Sequence, residues 1–132
     1  MELAGLNNEG KVYRVRFPED SEIIVGICYQ TRENLLKLRE EATDRAVGRK
    51  GQIEEKFNAL KSDELLGAAA VKSWGRDDGK PAFTMNGAPF EHSEENVKFM
   101  MRKHVGFARF VNSVASDLAE LEEAERMLDE KK

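Results

Sequence analysis

Apolar and polar residues alternate near the amino terminus of the chain. Odd positions carry apolar side chains and even positions carry arginines: Tyr13, Val15 and Phe17 against Arg14 and Arg16. This two-residue period is typical of a half-buried strand. After a turn-forming segment at 18–21, residues 23–29 are apolar on both parities and rich in β-branched side chains, as in a strand covered on both faces. The pattern predicts a β-hairpin over 11–29.

Helical spacing follows the hairpin and predicts helices over 32–74. Thr31 is a candidate amino-terminal cap, since its hydroxyl can accept a hydrogen bond from a backbone amide of the first turn. Apolar residues recur at steps of three and four up to Gly48, where the first helix is expected to end: Leu35, Leu38, Ala42 and Ala46. A further apolar series predicts a second helix that runs on to Trp74: Ile53, Phe57, Leu60, Leu66 and Ala70.

The last third of the chain separates into a loop and a helical region. Residues 75–93 carry closely spaced glycines and prolines without a sustained period, so they are predicted to form a long loop, with a short strand near Phe83 as an option. Ser93 and the acids after it indicate a helix start. Residues 94–129 then form a long helix, or one broken near Gly106, with an apolar stripe that suits either a core-facing helix or a self-association seam. The stripe consists of Val97, Met101, His104, Ala108, Val111, Ala115 and Leu118.

These elements predict an α+β fold class, with an N-terminal β-hairpin followed by a mostly α-helical bundle with one long loop. A chain of 132 residues, of which 40% are hydrophobic, can bury one modest core, so residues 1–132 are expected to form a single domain. The single cysteine, Cys28, cannot form an intrachain disulfide and is expected to be a buried apolar thiol.

The charge balance and the amino-terminal sequence limit the classes of protein to which the chain is expected to belong. Charged residues make up 35% of the chain, but the two signs nearly cancel to a net charge of −4. Such a surface fits a solvated globular protein better than a polyanion-binding protein, so nucleic acid is not the expected partner. The amino terminus lacks a secretory signal, and no later stretch approaches the ~20 apolar residues of a membrane span. We therefore expect a cytoplasmic protein without membrane contact.

No arrangement of residues in the sequence suggests catalysis. The densest group of candidate metal ligands straddles a predicted helix start and so does not share one helical face: Glu91, His92, Glu94 and Glu95. His104 lies in the apolar stripe, where a satisfied imidazole is more common than a base. No serine, threonine or cysteine has the spacing of an activated nucleophile. We therefore expect a protein that is not an enzyme, needs no cofactor or metal, and works by binding another macromolecule.

One short motif points to nucleic acid nonetheless. The segment Val47-Gly-Arg-Lys-Gly-Gln-Ile53 resembles the Gly-x-x-Gly loop of KH domains, which clamps a nucleic-acid backbone between two helices. Arg49 and Lys50 would carry the binding. Two glycines that flank a basic pair are also typical of a plain helix–helix turn. The alternative function is therefore a nucleic-acid-binding module that uses a KH-like Gly-Arg-Lys-Gly loop.

A longer resemblance involves the middle of the chain. Its pieces are Val71-Lys-Ser-Trp74, Asp77-Asp-Gly-Lys-Pro81, Ala88-Pro-Phe90 and Ser93-Glu-Glu-Asn96, preceded by Tyr29-Gln-Thr-Arg-Glu-Asn-Leu-Leu. This order of motifs resembles the tail assembly chaperones of tailed bacteriophages, siphoviruses and prophages. In that family a helix ends in Val-x-x-Trp, an acidic Gly-x-Pro loop follows, and a phenylalanine precedes the Ser-x-Glu-Asn start of another helix. The present chain differs from that pattern by an insertion at 82–87.

The resemblance implies a chaperone that acts in virion assembly in the host cytoplasm. Its partners would be the aggregation-prone tape-measure protein and a tail-tube protein, and it would have the option of forming a homo-oligomer. A chaperone of this kind would bind helices through aromatic and methionine anchors. The candidate partner-binding residues are Trp74, Phe90, Phe99, Met100, Met101, Phe107 and Phe110, each of which is also a natural core residue. Trp74 is further expected to pin the 75–93 loop to the helices.

Overall fold

The computed structural model of the protein describes Leu3 and residues 10–130. These residues form an α+β fold, which confirms the predicted class. In chain order the elements are β1 (Val12–Phe17), β2 (Asp20–Cys28), α1 (Arg32–Glu41), β3 (Thr43–Val47), β4 (Ile53–Phe57), α2 (Ala59–Ala70), β5 (Val71–Arg76), β6 (Thr84–Met85), β7 (Ala88–Pro89), α3 (Glu94–Lys103), α4 (Val105–Val114) and α5 (Leu118–Glu130).

An antiparallel sheet in the order β1-β2-β5 carries the core. The predicted amino-terminal hairpin is confirmed, with Val15 opposite Val25 and a bulge between Arg16 and Phe17. β2 lies in the centre of the sheet and takes β5 on its other side, where Val25 faces Trp74. β2 is thus paired along both edges. Residues of both parities are buried in its second half, Val25 and Ile27 as well as Gly26 and Cys28, whereas Ile24 is only partly buried.

Helices α2, α3 and α4 pack together and close one face of this sheet. The buried cluster combines sheet residues with residues from all three helices: Tyr13, Val15, Phe17, Val25, Ile27, Leu66, Ala70, Val97, Met101, Phe107 and Val111. α5 lies along β1, and its Leu121 is fully buried in the same cluster. The backbone amide of Arg14 in β1 donates to Oε2 of Glu125 in α5 at 3.2 Å. α5 therefore covers the outer edge of the core sheet.

The segment of α1, β3 and β4 is here called the arm. Leu35 and Leu38 of α1 are partly buried and pack against the core, whereas β3 and β4 are almost entirely exposed. Thr31 caps α1 as expected, because its Oγ1 accepts from the amide of Asn34 at 3.2 Å. α1 has no buried residue, and β3 and β4 pair only with each other among the described strands. Ala42, at the base of the arm, is fully buried, and its carbonyl accepts from the amide of Asn58 at 2.9 Å. The arm is therefore attached to the core at its base.

The prediction of helices throughout 32–74 is wrong at three places. The first helix ends at Glu41, and the segments around Ala46 and Ile53 are the two strands of a hairpin. The second helix ends at Ala70, and Trp74 belongs to a strand. Apolar residues spaced by four have the same parity, so Ile53 and Phe57 satisfy a strand pattern as well as a helical one. Strand pairing across a glycine turn decides between the two, and Gly51 adopts φ +80° in that turn.

The predicted loop and carboxy-terminal helix are also more broken than the sequence indicated. The 75–93 segment contains the end of β5 and the small β6–β7 hairpin, which turns at Asn86 and Gly87 with positive φ at both. Ser93 caps α3 as predicted, with Oγ accepting from the amide of Asn96 at 3.1 Å. The region 94–129 is not one helix but three, α3, α4 and α5, with the first break at His104.

Candidate functional site

Trp74 ties the 75–93 segment to the helices. Its indole Nε1 donates to the carbonyl oxygen of Phe90 at 3.2 Å, and its ring is stacked on Phe90 with an interplanar angle of 11°. Edge-to-face contacts join it to Phe83 at 5.1 Å and to Phe107 at 6.1 Å between ring centroids. An aromatic cluster with a satisfied indole is a rigid support, as the sequence predicted for Trp74.

Both histidines have structural partners. Nε2 of His92 lies 3.0 Å from the carbonyl oxygen of Val71 and must donate to it, since a carbonyl only accepts. Nδ1 of His104 accepts from the amide of Phe107 at 3.0 Å and so caps α4. The other ring nitrogen of His104 is 3.7 Å from a carboxylate oxygen of Glu19. His104 therefore stops one helix and starts the next, which explains the break in the apolar stripe.

Four of the seven candidate partner-binding residues are core residues. Phe107 is fully buried, and Met100, Met101 and Phe110 are also buried. Their side chains are not available to a partner on this surface. The three others, Trp74, Phe90 and Phe99, are half-buried, and the ring of Phe99 leans on Phe90 at 5.5 Å. The structure therefore brings the candidate aromatic residues together as a scaffold and leaves little of them exposed.

A groove between α2, α3 and α4, here called the helical groove, offers a different apolar surface. Its cavity measures about 380 Å³ and is lined by Leu60, Asp63, Met101, Arg102, Val105, Ala108, Arg109 and Asn112. Leu60 is 56% exposed and Val105 is 65% exposed, although both are large apolar side chains. Arg102 is held by Glu64 at 2.8 Å on the rim. A concave apolar surface with a charged rim is suited to binding a helix of another protein.

The arm carries a second set of exposed apolar side chains. Val47 is 76% exposed and Ile53 is 71% exposed, and the two residues are cross-strand partners. Phe57 lies on the same face of the hairpin under the guanidinium of Arg39, which is 4.8 Å from the ring centroid. Leu36 on α1 is exposed as well. The spacing of Ile53 and Phe57 had predicted an apolar stripe on a helix, so their exposure on a hairpin was not foreseen, and Val47 and Leu36 belonged to neither predicted stripe.

Arg49 and Lys50 lie at the exposed tip of the arm, in the turn between β3 and β4. The KH-like interpretation required a helix on each side of the Gly-Arg-Lys-Gly loop. The structure places a strand on each side instead, so that framework for nucleic-acid binding is absent. The two glycines serve a hairpin turn, in which the amide of Gly51 donates to the carbonyl of Gly48 at 3.0 Å.

Within the described residues, no group of three or more histidine, cysteine or acidic side chains is placed to hold a metal ion. Cys28 is buried, and burial raises the pKa of its thiol, while the nearby charge of Lys72 acts in the opposite direction. A raised pKa lowers the fraction of reactive thiolate at neutral pH. The arrangement around Cys28 is that of a structural thiol.

Comparisons with protein-family models, with curated proteins and with solved structures found no match to this chain. In the described part of the chain, no helix has the length and apolar character needed to cross a lipid bilayer. The described residues form an α+β fold, and the helical groove and the arm are two of its exposed apolar surfaces.

Proposed function

We propose that this chain is a tail assembly chaperone of a tailed phage or prophage, which binds the tape-measure protein through the helical groove. The observation that carries the proposal is the exposure of Leu60 and Val105 beside a buried and well-packed helical core. Exposed apolar side chains that line a concave surface are characteristic of protein-binding sites. The motif order from Tyr29 to Asn96 supplies the choice of partner.

The groove has the features that helix binding requires. Its lining includes the exposed Leu60 and Val105 and the small Ala108, which together can accept apolar anchors spaced by three and four residues along a partner helix. Its sides carry Arg102, which is paired with Glu64, and Arg109, whose charge favours an acidic residue flanking such anchors, while Asp63 adds a negative charge to the rim. A tape-measure protein is long and helical in tailed phages, so it can present many such segments. Chaperone action of this kind needs binding and release but no chemistry.

The proposal requires a long helical tape-measure protein to be encoded beside this chain. The test is co-expression with that neighbour, followed by co-purification at moderate salt. We expect a soluble complex with the unmodified chain and loss of the partner with Leu60→Glu or Val105→Glu. Leu36→Glu is the matched control, because Leu36 is a leucine of nearly equal exposure, 55% against 56% for Leu60, on the arm. Circular dichroism of each variant checks that the fold is retained.

Two outcomes would contradict the proposal. Loss of the complex with Leu36→Glu but not with Leu60→Glu would move the binding surface to the arm. Absence of a complex, together with salt-sensitive RNA binding that Arg49→Asp and Lys50→Asp abolish in a folded protein, would replace it with a nucleic-acid-binding function.

A further inference from the structure

Among the described strands, β4 pairs only with β3, so its other edge has no strand partner there. At the two ends of the hairpin, the amide of Gly48 donates to the carbonyl of Gln52 at 2.7 Å and that of Asn58 to the carbonyl of Ala42 at 2.9 Å. Hydrogen-bonded pairs alternate with non-bonded pairs along an antiparallel ladder. Even-numbered residues of β4 therefore bond to β3, and the odd-numbered ones, Ile53, Glu55 and Phe57, direct their amides and carbonyls away from it.

We propose that this edge pairs with the same edge of a second copy of the chain, antiparallel and centred on Glu55. The two hairpins then form a four-stranded sheet in the order β3-β4-β4-β3. In this register Glu55 of one copy lies opposite Glu55 of the other, and Ile53 of each copy lies opposite Phe57 of the other. All three outward-facing residues therefore fall into hydrogen-bonded pairs. Six backbone hydrogen bonds result, since each such pair exchanges two bonds. The proposal does not depend on the proposed function.

The side chains favour this register. Glu54 of each copy lies across from Lys56 of the other, so the symmetric dimer contains two such pairs. Residues of opposite charge in cross-strand positions stabilise a sheet. On the other face Ile53 meets Phe57, which adds two apolar pairs beside the exposed Val47. The Glu55 carboxylates meet at the centre, and Nε of Arg45 lies 3.4 Å from Glu55 of its own chain, which offsets their repulsion.

The opposite edge of the hairpin is a poorer match to itself. An antiparallel pair of β3 strands centred on Arg45 would place two arginines opposite each other, Asp44 opposite Ala46 and Thr43 opposite Val47. It gains no charge pair and fewer apolar contacts than the β4 edge. A lone two-stranded hairpin is only marginally stable in water, and a third and fourth strand are the usual remedy. The second copy supplies these strands.

Disulfide trapping tests the register. In the proposed sheet the two Glu55 Cα atoms are about 5.5 Å apart, the spacing of a hydrogen-bonded pair, which a disulfide can bridge. We expect Glu55→Cys to form a covalent dimer under mild oxidation. The Arg45 positions are three strand spacings apart, about 14 Å, so Arg45→Cys should form no covalent dimer. Trapping at Arg45 and not at Glu55 would overturn the proposal, because the β3 edges would then meet.

Charge exchange tests the contact without new cysteines. Glu54→Lys places like charges opposite each other at both symmetric positions, as does Lys56→Glu. We expect each variant alone to dimerise at least about tenfold more weakly than the unmodified chain. An equimolar mixture of the two variants should recover the dimer as a heterodimer, because each of its two cross-strand pairs again joins a lysine to a glutamate. Analytical ultracentrifugation measures both results.

Controls separate a lost contact from a lost fold. Circular dichroism should be unchanged in both variants, because the substituted residues are exposed. A monomer at all concentrations for the unmodified chain would overturn the proposal, as would a dimer that both single variants leave unaffected. Failure of the tape-measure complex while the dimer persists would concern only the proposed function. The helical groove and the β4 edge share no residue, so the two proposals fail independently.

Discussion

The two principal sheets of the protein differ in whether an edge strand is covered by another element. β1, at the edge of the core sheet, is covered by α5, whose Glu125 accepts from the backbone amide of Arg14. β4, at the edge of the arm, meets no other strand than β3 in the described part of the chain. An uncovered edge is a template for pairing. The difference teaches that the β1 edge of the core sheet is covered within one chain, whereas the β4 edge of the arm has unused hydrogen-bonding capacity.

Burial follows the same division. The core sheet and α2–α4 contribute the buried cluster that includes Phe107 and Val25, which are fully buried. Every residue of β4 is exposed, and α1 has no buried residue. Since apolar burial is the main favourable term in folding, the free energy of unfolding should depend mainly on the core and hardly on the β3–β4 hairpin of the arm. Substitutions matched between the two regions test this division.

The largest expected effect is the loss of Phe107. Phe107→Ala removes a fully buried ring that contacts Phe17, Trp74 and Phe83, so the free energy of unfolding should fall by about 3–5 kcal/mol. Phe57→Ala removes an exposed ring from the arm and should cost no more than about 1 kcal/mol, mainly the cation–π contact with Arg39. Urea unfolding followed by the fluorescence of Trp74, the single tryptophan, measures both. Equal losses of unfolding free energy in the two variants would contradict the division of stability between the core and the arm.

A smaller effect distinguishes packed helix surfaces from open ones. A Cβ atom on Gly67 would lie 2.4 Å from Cγ of the buried Met101, whereas one on Gly106 would meet only the carboxylate end of the exposed Glu19. We expect Gly67→Ala to lower the free energy of unfolding by about 1–2 kcal/mol, because overpacking outweighs the gain in helix propensity. Gly106→Ala should raise it by up to about 1 kcal/mol. Thermal unfolding measures whether each substitution raises or lowers stability. If both Gly67→Ala and Gly106→Ala stabilise the protein, α2 and α3 are loosely packed.

The smallest effect on stability is expected on the arm itself. Ile53→Ser replaces a side chain that is 71% exposed, so in dilute solution the free energy of unfolding should change by less than about 0.5 kcal/mol. In concentrated solution the same substitution should weaken self-association, because Ile53 would face Phe57 of the second copy. Denaturation and sedimentation on one sample series separate the two effects. A large loss of stability in dilute solution would place Ile53 in a core after all.

Much of the secondary structure was predictable from local patterns. The alternation at Tyr13, Val15 and Phe17 predicted β1, and Thr31 and Ser93 were predicted as caps, each of which the structure confirms. These features depend on neighbouring residues alone: the parity of side chains along a strand, and a hydroxyl within reach of the next turn's amides. His104 escaped the same reasoning because its ring nitrogen, rather than a hydroxyl, caps α4.

The candidate site was predictable only in part. The aromatic and methionine residues of α3 and α4 were identified as either core or interface, and only packing could separate the two. Met100, Met101, Phe107 and Phe110 are buried, whereas the exposed apolar side chains include Leu60, Val105, Val47 and Ile53. A periodic pattern shows that residues share a face but not whether another element covers that face.

The sequence by itself determined the amino-terminal hairpin and the helix caps at Thr31 and Ser93, because these follow from interactions over a few residues. Only the tertiary structure decided that residues 43–57 form a hairpin and that 71–76 form a strand. Propensity alone would continue the helix to Trp74, but β2 offers an open edge, and Val25 pairs with Trp74 across it. Pairing between residues far apart in the chain contributes hydrogen bonds and burial that local periodicity does not contain.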